Sequence, residues 1–157
     1  MSAGTYEFMI ALAESLAANS AVQTLCQSYW RKNATVFALV DSLQAPVAED
    51  NAPCIILYIG SRGVSEDHIM QSRAVTACIC AMGDKDEKPV LENGVYKIKG
   101  YSFFDAFSAA VEKALADYVH PGGYYTTSVI QGPEDEIMLP YFKSWMGLSI
   151  QFDSDLT

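Results

Sequence analysis

The spacing of apolar side chains changes several times along this chain, and each change marks an element. Phe8, Leu12 and Leu16 recur every four residues, and Val22, Leu25, Cys26 and Tyr29 recur at i, i+3, i+4 and i+7. Both spacings predict amphipathic helices, the first capped by Thr5 and the second, after a break at Asn19-Ser20, capped by Ser20. Residues 35–40 are rich in β-branched and apolar side chains and predict a strand. Cys54-Ile55-Ile56-Leu57-Tyr58-Ile59 has no polar face, and Val75-Thr76-Ala77-Cys78-Ile79-Cys80-Ala81-Met82 has none apart from one threonine. A half-buried strand alternates apolar and polar residues, whereas one covered on both sides does not. These runs therefore predict central strands over 54–59 and 73–82. The helices are too few to cover both faces, and a second copy of the protein is one candidate cover.

Turn chemistry separates the remaining elements. A polar connection with Pro46 and Pro53 precedes the 54–59 strand, and Gly60-Ser61-Arg62-Gly63 predicts a turn or mobile loop at an assembly surface. After a charged loop over 83–88, Asn93-Gly94 between Val90-Leu91-Glu92 and Val95-Tyr96-Lys97-Ile98 predicts a β-hairpin with a type I′ turn. Ser102 and Asp105 read as a capping pair for a helix whose face carries Phe103, Phe107, Ala110, Val111, Ala114 and Tyr118, ended by Pro121-Gly122-Gly123. A strand over 124–130, an acidic loop around Glu134-Asp135-Glu136 and a last strand over 142–152 follow. In that strand Phe142, Met146, Leu148, Ile150 and Phe152 alternate with Lys143, Trp145, Gly147, Ser149 and Gln151, Ser144 being the exception on the apolar side. The order ααβββ(ββ)αββ predicts an α+β fold: a largely antiparallel mixed sheet, helices mainly on one face, and a β-hairpin extension. One domain is expected over 1–157, with N-terminal helices in 1–30 and an α/β core in 35–152.

Charge narrows the partners. The 157 residues carry a net charge of −9. Such a surface repels phosphate backbones, so no specific nucleic-acid binding is expected. No Lys or Arg precedes Arg31, and no apolar stretch approaches the roughly 18 residues of a membrane span, so neither a secretory leader nor a membrane contact is expected. Four cysteines without dense spacing read as reduced core thiols of a cytosolic product.

Candidate chemistry is sparse. Cys78-x-Cys80 puts two thiols on one strand face, as core packing or as a metal or redox pair. His68 and His120 lack the paired spacing of zinc ligands. Ser65-Glu66-Asp67-His68 collects nucleophile, acid and base types, but in a stretch that reads as a solvated loop. No phosphate-cradling glycine motif is present. Glu134-Asp135-Glu136 is a solvated acidic patch, half of a metal site, or a docking contact for a basic surface. Trp145 falls on the polar side of the last strand, as an interface anchor or under a covering element. Trp30 reads as a local lid on the core. No catalytic residues, cofactor or metal are expected, and the chain reads as no enzyme.

Over residues 35–152 this order resembles that of bacteriophage tail terminator, or tail completion, proteins. The resemblance lies in the 35–40 strand, the polar 41–51 connection, Ala52-Pro53-Cys54-Ile55-Ile56-Leu57-Tyr58-Ile59-Gly60, the 73–82 strand, the 103–118 helix, and Glu136-Ile137-Met138-Leu139-Pro140-Tyr141-Phe142 leading into 145–152. It implies a subunit of a homo-oligomeric, hexameric ring in the virion of a long-tailed phage or prophage, made in the host bacterial cytoplasm. Such a ring caps the tail tube, and its partners are copies of itself, the tail tube protein and the head-connector protein. The interface residues expected are Ile55, Leu57, Arg62, Val75, Ile79, Glu134, Asp135, Glu136 and Trp145. The alternatives are a small-molecule-binding domain or small α+β enzyme, with His68 and Glu66 or Asp67 as its groups, and another neck or adaptor protein of such a particle.

Overall fold

The computed structural model describes residues 5–39, 51–64, 70–83, 86–119, 125–138 and 140–153. The elements follow the predicted order: α1 (Thr5–Ala18), α2 (Ser20–Trp30), β1 (Thr35–Leu39), β2 (Cys54–Val64), β3 (Met70–Met82), β4 (Val90–Glu92), β5 (Val95–Lys97), α3 (Lys99–Ala116), β6 (Tyr125–Met138) and β7 (Tyr141–Asp153). Five strands form one sheet in the order β1-β2-β3-β7-β6, and β4-β5 form a separate two-stranded sheet. β1 runs parallel to β2, and every other pairing is antiparallel. The fold is α+β with the helices packed against the sheet, as the pattern predicts.

All three helices cover the same face. Phe8, Met9, Leu12 and Leu16 of α1, Val22 and Cys26 of α2, and Phe104, Phe107, Val111 and Leu115 of α3 bury against Ile55 and Leu57 of β2, Val75, Ala77, Ile79 and Ala81 of β3, and Phe142, Met146 and Leu148 of β7. Burying one side chain of this size contributes about 1.5–3 kcal/mol, so this face dominates the stability. α3 is rotated from the predicted stripe: Phe104 and Phe107 are buried, while Phe103 is partly exposed and stacks on Tyr29 with ring centroids 4.1 Å apart. Trp30 is the expected lid. It packs against this core, and its indole Nε1–H donates to the carbonyl of Met82 at 2.7 Å, fastening α2 to the end of β3.

The helix starts depart from the sequence reading. Asn19, not Ser20, caps α2: its Oδ1 accepts from the Val22 N–H at 3.1 Å, and Ser20 is already helical. Asn ranks with Ser as a capping residue, so either neighbour fitted the pattern. α3 begins at Lys99, upstream of the Ser102/Asp105 pair, and Ile98 at its N-cap supplies no side-chain bond. Ser102 Oγ donates instead to the Lys99 carbonyl at 2.5 Å. The cap comes from outside the helix. The Glu87 carboxylate accepts from the Gly100 N–H at 3.0 and 3.2 Å, an anion at the positive end of the helix.

Two stretches predicted as loops lie inside strands. β2 continues through Gly60-Ser61-Arg62-Gly63, and β6 continues through Gly132-Pro133-Glu134-Asp135-Glu136. In each case the ladder slips: between Ile59 and Arg62 in β2, and between Val129, Gln131 and Glu134 in β6. A bulge admits glycine and, on an edge strand, proline without ending the strand, so residues that signal a turn here mark a bend.

Candidate functional site

Two surfaces remain once the helix-covered core is set aside: the hairpin and the opposite face of the sheet. The hairpin pairs Val90 with Lys97, Leu91 with Tyr96 and Glu92 with Val95. Asn93 and Gly94 have φ of 51° and 77°, the two positive angles that a type I′ turn needs. Alternation puts Leu91 and Tyr96 on one side, and Val90, Val95, Glu92 and Lys97 on the other. Val90, Leu91, Val95, Tyr96 and the adjoining Ile98 are 47–71% exposed. Lys99 and Lys97 approach Glu92 at 2.9 and 3.9 Å, surface pairs of small energetic weight. A two-stranded hairpin is marginal alone in water, and this one presents apolar side chains on both sides.

The second face of the sheet is apolar, as the strand pattern predicts. Cys54 and Ile56 of β2 and Cys78 and Cys80 of β3 form a cluster there, with Phe37, Ala52, Tyr58 and Trp145 packed against it. The four central side chains are at most 2% exposed. The chain itself thus buries the centre of the second face, and the partly buried rim is Phe37, Tyr58 and Trp145. The Tyr58 phenol is pushed above its usual range, first by burial and then by the neighbouring Cys78 and Cys54 thiols, with Lys143 opposing.

The expected interface residues separate into groups. Ile55, Leu57, Val75 and Ile79 have no exposed surface, because α1, α2 and α3 lie over them. They are core positions, and the interface role expected for them is withdrawn. Strand composition shows that both faces are apolar but not which face the helices choose. Trp145 stands opposite Cys78 in the register, on the second face, where it is half-buried. Glu136 pairs in register with Lys143, which places it on that same face at the edge of the sheet, and Glu134 stands opposite Trp145 in the register with its side chain outside the described residues. Asp135 alternates to the helix side, where it accepts a hydrogen bond from the Tyr101 hydroxyl of α3. That bond pushes the Tyr101 phenol up to about 12, with burial adding to it. Arg62 lies in β2 opposite Arg73, and its side chain is outside the described residues.

The chemistry-bearing stretch 65–68, with Glu66, Asp67 and His68, lies outside the described residues, as does His120. Among the described residues no group of three or more His, Cys, Asp or Glu is placed to hold a metal ion, and no helix is long and apolar enough to cross a membrane. A surface groove of about 390 Å³ lies between α1, α2 and α3, walled by Ala21, Ala110, Ala114 and Tyr118. Its Lys113 and Asp117 bond each other at 2.6 Å. The hairpin's exposed apolar character is the feature that sequence reasoning missed. The signal was present, because its two strands are too short to bury either side.

Compared with known proteins, the chain matches no family model and no curated protein.

Proposed function

We propose that this chain is a structural subunit that assembles with copies of itself into a ring and acts as the tail terminator of a long-tailed phage or prophage-derived particle. The observation that carries self-association is the hairpin: four apolar side chains on a ladder separate from the main sheet, with the adjoining Ile98, are 47–71% exposed. Apolar side chains exposed on both sides of a short hairpin suit an arm that docks on another surface, and rings form when one surface docks on a different surface of the next copy. The terminator assignment rests on the element order, which is that of the resemblance over residues 35–152. A net charge of −9 suits a lumen that DNA must pass without sticking. In this reading the ring caps the tail tube and presents the head-joining surface, and it needs no catalytic residue.

Light scattering behind size exclusion, with negative-stain images of the same peak, tests the reading. Closed rings are expected for the wild type, and a lower mass with unchanged circular dichroism for Leu91→Glu with Tyr96→Glu. A strict monomer at high micromolar concentration overturns the assembly reading. Rings that fail to bind the ends of tail tubes overturn the terminator assignment.

A further inference from the structure

We infer that Cys54 and Cys80 form a latent disulfide site joining β2 to β3. The register sets them directly opposite each other on antiparallel strands, and both side chains belong to the cluster on the face away from the helices. Directly opposed residues in such a pair have Cα atoms roughly 4.5 or 5.5 Å apart, and both separations fall within the ~4.4–6.8 Å that a disulfide spans. The other pairings fit less well. Cys78 faces Ile56, so its path to Cys54 is a diagonal of roughly 7–8 Å, beyond that reach. Cys78 and Cys80 stand two residues apart on one strand, roughly 6.7 Å between Cα atoms, at the far limit of the range. Cys26 lies in the helix-side core, and burial pushes its thiol up to about 11.

None of the four cysteines is in a disulfide in this structure. Cys54 and Cys80 are fully buried, so an oxidant reaches them only when the strands part. Their pair ends the β2–β3 ladder, while β1 pairs with Cys54 and β7 with Cys80 on the outer sides, so oxidation waits on a local opening of the sheet. With glutathione disulfide as oxidant, one cysteine thiolate attacks it, forming a mixed disulfide and releasing one glutathione thiolate. The second cysteine thiolate attacks the cysteine sulfur of that mixed disulfide and releases the other. Two protein thiols are oxidised, one glutathione disulfide is reduced to two glutathiones, and the two protons pass to them. The site stays open in a reducing cytosol and closes outside it. This follows from the register and does not rest on the assembly reading.

The test incubates the folded protein in a glutathione redox buffer, then unfolds it in alkylating reagent and maps it by mass spectrometry. Two of the four cysteines should resist alkylation, the mass should fall by two hydrogens, and a peptide joining Cys54 to Cys80 should appear. Cys80→Ala, and separately Cys54→Ala, should abolish that link, whereas Cys78→Ala should leave it. Four alkylated cysteines after prolonged incubation of the wild type, or a link through Cys78 or Cys26, would overturn the inference.

Discussion

The backbone N–H of Gly100 points between the two carboxylate oxygens of Glu87, 3.0 and 3.2 Å away. A Cβ at residue 100 would stand 2.5 Å from Glu87 Oε2, so the flexible end of that side chain would have to move aside. Glu87→Ala removes the cap of α3 and is expected to cost about 1 kcal/mol. Gly100→Ala should change the wild type little, because the new methyl displaces that carboxylate and the weakened cap offsets the gain in helix propensity. In the Glu87→Ala background the same change should stabilise by up to about 1 kcal/mol, since alanine is the better helix residue. Urea unfolding of the four proteins in this cycle measures the coupling between the two residues.

Gln23 joins three parts of the helical layer. Its Nε2 donates to the carbonyls of Leu16 and Ala17 at 3.3 and 3.1 Å, and its Oε1 accepts from the Ala34 N–H at 2.8 Å. The end of α1 and the approach to β1 are thereby held by one buried amide. Gln23→Ala strands these backbone groups and is expected to cost about 2–4 kcal/mol, read as a lower denaturation midpoint.

Ser144 is the buried polar side chain on the helix-facing side of β7, and its hydroxyl has no hydrogen-bond partner among the described residues. An unsatisfied buried hydroxyl costs about 1–3 kcal/mol. Ser144→Ala should therefore raise the midpoint, by about 1 kcal/mol in stability after the small loss of packing. A drop in stability would show that the hydroxyl has a partner.

Tyr101 keeps its proton to about pH 12 because its hydroxyl donates to Asp135, with burial adding to the effect. An unfolded tyrosine loses its proton near pH 10. The folded-state value is the higher one, so the bond's contribution is complete below about pH 10 and disappears as pH rises through about 12. Tyr101→Phe should be less stable than wild type at pH 8, with the difference vanishing at the alkaline end. Asp135→Asn should bring the Tyr101 titration, followed by NMR, back toward pH 10.

The element order was legible because each element has its own period: fours in α1, unbroken apolar runs in β2 and β3, strict alternation in β7. The hairpin's turn was legible to the residue, since Asn93-Gly94 leaves few other turns, although β5 ends at Lys97, one residue before the expected Ile98. Caps and strand ends were not. Asn19 and Ser20 both suit a cap, and Glu87 acts on α3 from across a loop, a relation no local pattern records. Gly60, Gly63 and Pro133 signalled turns because composition cannot tell a bulge from a chain reversal. For the candidate site, Trp145 and Glu136 share a face once the β7–β6 register is known. Ile55, Leu57, Val75 and Ile79 needed the helices placed before their side of the sheet could be assigned.

The hairpin keeps its own hydrogen-bond ladder, apart from the five-stranded sheet. Its tip can therefore vary in length and side chains without disturbing the register of any strand in the main body. Related chains could diverge freely at this point while keeping one scaffold, each acquiring its own docking preference from the short stretch Val90 to Lys97.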